Sequence, residues 1–374
     1  MSARAKKVLV SGASFAGLST AFWLCQLGYE VTVVEIAPRL RTGGTAVDIK
    51  GNTVQIIQRM GLFEQVRANR LSLERWEFKN ERDVTERSMV LRAEGDPPSA
   101  DEFEIERTVL LNLLFDAVKD RVEVAFDESI TALREANDAI EVTFSKGARR
   151  TFDLVFGCDG IHSGVRRLWF GDEARYLHFL GQYFSITIVD KLLIERNTAQ
   201  LFNVPGKAVM LNAYKNSTDI ILAFASDREL LYDRRDEEQQ RRIIADQFLG
   251  VGWRTAELLE EVRRSKSFYF DKLCQVRMPS WTKGRVALVG DAAYCPSPAA
   301  GRGGSLALDG AAALADAIRD HDSNFELAFG DYNQRFRPFI EEVQAEAVRT
   351  GLETLVPRTE EAIRARNAQT DASF

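Results

Sequence analysis

The sequence is short of the residues from which metal centres and disulfide scaffolds are built. Its 4 cysteines (Cys25, Cys158, Cys274, Cys295) and 3 histidines (His162, His178, His321) are dispersed, with no C-x-x-C pair. That spacing points to neither a zinc site nor a disulfide framework, so reduced, buried thiols and no metal are expected. Long apolar runs are missing as well. None approaches the roughly 20 uncharged residues that span a bilayer, and Met1-Ser2-Ala3-Arg4 leads straight into a strand-like segment, so a cytoplasmic location is expected. Positive charge is not in excess: the net charge of −6 argues against a general nucleic-acid binder. What remains is a chain of 374 residues, 45% hydrophobic and 28% charged, the composition of a globular protein of about two domains.

The most informative stretch is Lys7-Val8-Leu9-Val10-Ser11-Gly12-Ala13-Ser14-Phe15-Ala16-Gly17, followed by an apolar helical run to Leu27. A β-branched strand that breaks at a glycine into a helix aims free backbone N–H groups and a positive helix end at one point, which suits a phosphate. The next strand, Val31-Thr32-Val33-Val34, ends in Glu35, 18 residues after Gly17, where a carboxylate can accept hydrogen bonds from a ribose. Together these indicate a dinucleotide. Ser14 stands where the middle glycine of G-x-G-x-x-G is usual, and its hydroxyl can donate to the pyrophosphate. The alternative is an ordinary βα turn.

Further along, Arg39, Arg41, Gly43, Gly44 and Thr45 form a basic and then glycine-rich loop. It serves either to approach and pair with a nucleotide or as plain surface. Residues 53–69 read as a helix with Val54, Ile57, Met60 and Leu62 on its buried side. A polar, turn-rich segment over 74–104 breaks at Asp96-Pro97-Pro98-Ser99. Arg107 follows where a strand gives way to the helix Val109–Val118, available to an anion or simply as a capping or surface arginine. A buried-type strand then runs into Asp159-Gly160-Ile161-His162-Ser163-Gly164-Val165-Arg166, which reads as a ligand motif or as a capped βα turn with Asp159 as acceptor. Residues 174–266 hold strands around Tyr183–Val189, Ala208–Tyr214 and Asp219–Phe224, the floor of a substrate site. A charged, solvated helix is expected over 227–249. The third chemical stretch is Gly290-Asp291-Ala292-Ala293, then Pro296, Pro298, Gly301, Gly303, Gly304 and Ser305 before a helix from Leu306 to Ile318. Such a helix end stabilises a developing negative charge on a ring. An amphipathic helix bent at Pro338 covers 324–356.

These three motifs, in this order and with Arg107, resemble the single-component FAD-dependent aromatic monooxygenases built like para-hydroxybenzoate hydroxylase. Length and the Gly43-Gly44-Thr45 stretch look most like the tetracycline-inactivating branch and its polyketide-hydroxylase relatives. The resemblance implies that Gly12, Ser14 and Gly17 cradle the FAD pyrophosphate, that Glu35 takes the adenosine ribose, and that Arg41, Gly44 and Thr45 lie along the cofactor. Arg107 would reach the ribityl or phosphate region and Asp291 the ribityl chain. Asp159 would belong to a motif used by both FAD and the nicotinamide cofactor, and Pro298, Gly301, Gly303 and Gly304 would line the isoalloxazine ring. Three positions depart from the family pattern: Tyr294 where histidine is common, Ser305 where asparagine is usual, and Ile36 where an arginine often follows the glutamate.

The implied fold is α/β, a Rossmann-like FAD-binding domain (1–73, 103–173, 267–323) with an inserted β-sheet substrate domain (74–102, 174–266) and a C-terminal helical segment (324–374). The implied activity is FAD- and NADPH- or NADH-dependent hydroxylation of an aromatic or polyketide-like, tetracycline-like compound through a flavin C4a-hydroperoxide. Molecular oxygen is the other reactant, and the chain would be a monomer or homodimer. Gln182, Tyr214 and Phe224 are candidate substrate contacts. His178 joins Gln182 and Tyr214 among candidate bases, with no catalytic residue assigned. The alternatives are a halogenase or reductase of the same fold, although the halogenase Trp-x-Trp-x-Ile-Pro signature is absent, a non-catalytic flavin or ligand binder, and a plain NAD-dependent dehydrogenase.

Overall fold

The computed structural model describes residues 5–41, 43–91 and 102–368. The expected Asp96–Ser99 break and Thr42 lie outside the described residues. A mostly parallel sheet of 6 strands forms one layer, in the order Thr282–Lys283, Val286–Leu288, Leu154–Gly157, Lys7–Ser11, Glu30–Glu35, Glu123–Phe126. Lys7–Ser11 sits inside it, with later strands recruited to either side, so the chain direction switches at its carboxyl end. Ligands bind at such a point in open α/β sheets. Val8, Leu9 and Val10 are wholly buried, as a parallel strand covered on both faces requires.

Two helices cover this strand's end. Phe15–Gln26 buries its whole first two turns, Phe15 through Phe22, and packs against the long helix Gly303–Asp320. Small residues make the contact possible: a methyl on Gly290 would stand 2.9 Å from the Ala16 Cβ. The helix expected over 53–69 is two, Asn52–Arg59 and Phe63–Ala68, parted at Gly61, whose φ of 73° lies in the left-handed region. The charged helix expected over 227–249 is confined to Glu237–Phe248, where the Asp236 side chain accepts from the Gln239 N–H and sets the start.

The second layer is a sheet of 7 strands in the order Ser267–Val276, Leu177–Val189, Ser217–Ala225, Lys207–Tyr214, Thr198–Val204, Arg75–Lys79, Thr85–Val90. Ser267–Val276 belongs here although the sequence reading grouped it with the third nucleotide-binding segment. It pairs antiparallel with Leu177–Val189, Tyr269 opposite Ile186. Alternation splits this sheet into two faces. One face (Tyr183, Phe202, Phe224, Phe270) packs on the helices Glu237–Phe248 and Thr255–Arg264. The other (Phe78, Phe184, Leu201, Leu273) packs on Ala299, Leu352, Leu355 and Val356, which come from the proline loop and the C-terminal segment. The latter face is therefore turned toward the nucleotide-type sheet. A small sheet, Val47–Lys50, Glu102–Ile105 and Arg70–Leu71, bridges the two layers. The C-terminal helix Phe325–Glu346 contains Pro338 and continues through a wide turn at Ala347–Gly351.

Candidate active site

The first motif folds as a tight cradle. Gly12 has φ 103°, and a Cβ there would meet the Cys158 carbonyl oxygen at 2.5 Å; one on Gly17 would stand 1.8 Å from the Gly12 oxygen. Neither position admits a side chain. Ser14 begins the helix with extended backbone, and its hydroxyl caps nothing in that helix. The Glu35 carboxylate closes the loop: Ala13 N–H donates to Oε2 and Ala37 N–H to Oε1, both at 2.9 Å. Arg41 approaches the same carboxylate, Nε 3.7 Å from Oε1, from an exposed loop.

Arg107 connects this cradle to the third motif. Its Nη2 donates to Ser14 Oγ at 3.1 Å, and its guanidinium lies 4.6 Å from the Phe15 ring centroid. Burial pushes its pKa down, while the charges of Asp291 and Tyr269 act against that shift. Burial raises the Asp291 carboxyl, opposed by the Cys295 thiol and by Arg107. Gly44 has φ 93°, and a side chain there would run into the Arg107 Cδ at 2.7 Å. Thr45 is half-buried on the same loop. Gly12, Ser14, Gly17, Glu35, Gly44, Arg107 and Asp291, far apart in sequence, thus gather at the end of the central strand.

Asp159 is spent differently. It accepts from the Ser163 hydroxyl and, at 3.1 Å, from the Val165 N–H, the capping arrangement that the sequence held open as an alternative. Ser163 in turn accepts from the Arg166 N–H at 2.9 Å. Arg166 is wholly buried and donates to the Ala292 carbonyl at 2.9 Å, so the second motif is bolted to the third. Pro298 starts a single helical turn whose flanking residues, Ser297 (φ 84°) and Gly301 (φ 63°), both have positive φ. Gly304 is held against Val47, where a Cβ would meet Cγ1 at 2.4 Å. Gly303 has nothing within 4 Å of its would-be Cβ, so the helix N-terminus opens there. Tyr294 is turned into the core, hydrogen-bonded to Tyr332 at 3.2 Å and accommodated by Gly310.

A cleft of about 870 Å³ separates the two layers. Its walls include Gly43, Gly44 and Arg107 on one side and Ile188, Tyr214 and Asp219 on the other. Of the candidate substrate contacts, Tyr214 lines it. Gln182 lies on the same sheet face but is buried, its Nε2 donating to the Leu352 carbonyl at 3.1 Å. Phe224 does not reach the cleft: it faces the helical side, stacked 5.3 Å from Tyr183 and edge-on to Phe248. His178 is exposed on its strand.

Sequence reasoning missed an acidic group beside the cleft, of which Asp219 lines it. Asp48 and Glu104 oppose each other on paired strands and share a hydrogen bond. Burial, then the neighbouring Asp48, raises Glu104 to about 7. Burial raises Asp219 to about 7, with Glu106 adding to it. The signal available was a lone acid heading the apolar run Asp219-Ile220-Ile221-Leu222.

A family model described as an FAD binding domain matches residues 5–324. A flavin-dependent monooxygenase of Legionella longbeachae is 35% identical over 340 residues, covering 90% of this chain and 86% of that protein. An uncharacterised protein of Mycobacterium tuberculosis is 40% identical over 344 residues, 91% and 92% of the two chains. The crystal structure of the tetracycline destructase Tet(51) superposes with a TM-score of 0.87 at 34% identity, covering 97% of this chain and 95% of that one. The chain belongs to the FAD-binding-domain family and is an FAD-dependent monooxygenase of the para-hydroxybenzoate hydroxylase-like fold.

Proposed function

We propose that this monooxygenase uses NADPH or NADH to hydroxylate an aromatic or polyketide-like compound of tetracycline type, held in the cleft between the two layers. The observation that carries the reading is the cleft itself. About 870 Å³ suits a polycyclic molecule within the usual range for small-molecule sites, and it opens beside Gly44 and Arg107, where the cofactor-type motifs converge. The similarity to Tet(51) over nearly the whole chain supports the substrate class.

In this reading Gly12, Ser14 and Gly17 receive the pyrophosphate and Glu35 the adenosine ribose, beside Arg41. Arg107 and Asp291 hold the ribityl region, and Gly44, Thr45, Pro298, Gly301, Gly303 and Gly304 border the ring. The residues fit the group: the loop admits no Cβ at Gly12 or Gly17, and the helix N-terminus at Gly303 is free to face an anion. Asp159 serves through the Ser163 and Arg166 brace. Bound FAD supplies the redox and oxygen chemistry; the chain orients the substrate and excludes water. The test is the absorption spectrum of the purified protein followed by NADPH and NADH oxidation over tetracyclines, anthraquinones and simple phenols. Flavin bands with substrate-stimulated oxidation and oxygen uptake are expected. Flavin bands without stimulation by any of them would remove the substrate assignment.

A further inference from the structure

Asp219 is 5% exposed and lines the cleft, yet no described residue gives its side chain a hydrogen bond or an ion pair. Of the cations that line its cleft, Arg264 turns to Glu260 at 3.4 Å and Lys266 is exposed, neither of them paired with Asp219. Lys191 pairs with Glu261 at 2.9 Å, and Arg107 donates to Ser14 at 3.1 Å. Lys215, on the neighbouring turn, pairs with Glu106 at 2.9 Å. Asn212 stands directly opposite Asp219 on the paired strand, is also 5% exposed, and leaves its buried Oδ1 without a partner. Glu104, on the small bridging sheet, leaves Oε2 buried and without a partner. Tyr214 lies two residues beyond Asn212, on the same sheet face, within the field of Glu104, Asp219 and Asp48.

Three acceptors with no donor among the described residues define what is missing. A buried acceptor left unmade costs about 1–3 kcal/mol, and a buried carboxylate without a cation costs more. A neutral acceptor or an anion on the ligand would add to that cost, whereas a protonated amine removes it at Asp219, which lines the cleft with Asn212 directly beside it. We infer that Asp219 and Asn212 form an ammonium-recognition subsite, and that the enzyme selects aromatic substrates carrying a basic amine. This rests on the proposed reading of the cleft as the substrate site and narrows it.

Two matched ligand pairs test it on the FAD-loaded enzyme by equilibrium binding at pH 8: tetracycline against 4-dedimethylaminotetracycline, and tyramine against 4-ethylphenol. In at least one pair the amine-bearing member should bind about tenfold to a hundredfold more tightly, the range for a hydrogen bond to a charged group. Asp219→Asn should erase that preference while leaving the affinity of the amine-free member within about twofold, since only the charged contact is lost. Asn212→Leu, which removes an acceptor without touching the carboxylate, should reduce the preference without erasing it. Equal affinity within both pairs overturns the inference, as does a preference that survives in Asp219→Asn, or no binding of any of the four. The broader reading is tested separately from this one. NADPH oxidation stimulated by 4-ethylphenol without amine preference would leave the monooxygenase assignment standing and remove the ammonium site alone.

Discussion

Two carboxylates, Glu35 and Asp219, show how differently the two layers are built. Both are more than nine-tenths buried. Glu35 has each oxygen occupied by a backbone N–H, one from Ala13 of the glycine loop and one from Ala37 of its own, both at 2.9 Å; Asp219 has no partner among the described residues and faces the cleft. The nucleotide-type layer supplies its own hydrogen bonds, as a loop must if it is to hold its shape while ligands come and go. The sheet layer leaves acceptors open on its cleft face, so its polar groups are completed from outside. Preorganisation belongs to the first and selectivity to the second, because an unpaired buried group discriminates strongly between ligands that do and do not complete it.

The largest effect that could break this contrast is steric. In Gly17→Ala the new Cβ would stand 1.8 Å from the Gly12 oxygen, so the strand-loop-helix junction must open. Purified protein without flavin bands and with a much lowered Tm is the expected outcome. Flavin retained at the wild-type ratio would mean that the cradle is not preformed. Gly303→Ala sharpens the same point, since nothing lies within 4 Å of the added methyl. Thermal stability of the FAD-free protein should be unchanged while FAD affinity falls, and a wild-type affinity would place the ring elsewhere.

Next in size is Arg107→Ala. It removes the Ser14 contact and the cation over Phe15, and it takes away the positive charge that offsets the burial of Asp291. FAD binding should weaken by about tenfold to a hundredfold, the loss expected for charged hydrogen bonds, read by flavin fluorescence on dilution. Unchanged retention would separate Arg107 from the cofactor.

How much of this was legible in the sequence follows from the distance over which each feature is encoded. The cradle was readable because strand, Gly12, Gly17 and Glu35 are local, and their φ and space requirements leave few alternatives. Arg107 was readable as a residue but not as a link, since its partner Ser14 is 93 positions away. The acidic group was readable only as the lone Asp219: Asp48 and Glu104 are brought together by the pairing of two short strands, and Asp219 approaches them from the separate 7-stranded sheet. Phe224 was assigned to the floor because its strand was recognised without its register. A one-residue parity choice sends Asp219, Ile221 and Ala223 to the cleft side and Ile220, Leu222 and Phe224 to the helices. Gly61 ended a helix whose apolar periodicity continued past it, since the left-handed φ there outweighs the pattern.

The smallest effect concerns a carboxylate that resembles Asp219 in burial but belongs to the nucleotide-type layer. Asp309, on the helix Gly303–Asp320, is 4% exposed, accepts from the Thr53 hydroxyl at 2.8 Å, and is raised by burial to about 7. Its unfolded value is the ordinary one near 4, so between about pH 4 and 7 the folded state holds a proton that the unfolded state has released. Unfolding free energy contributed by this group is therefore greatest below that window and declines as pH rises through it, the reverse of a salt-bridged acid. Asp309→Asn keeps an oxygen for Thr53 and cannot ionise. Its stability relative to wild type should grow by about 1–3 kcal/mol between pH 5 and pH 8, measured by urea unfolding at both pH values. Asp219→Asn should gain stability at pH 8 in the same way. Only there should ligand selectivity change with it, because Asp309 lines no part of the cleft; a loss of amine preference in Asp309→Asn would show that the two layers are not divided as Glu35 and Asp219 suggest.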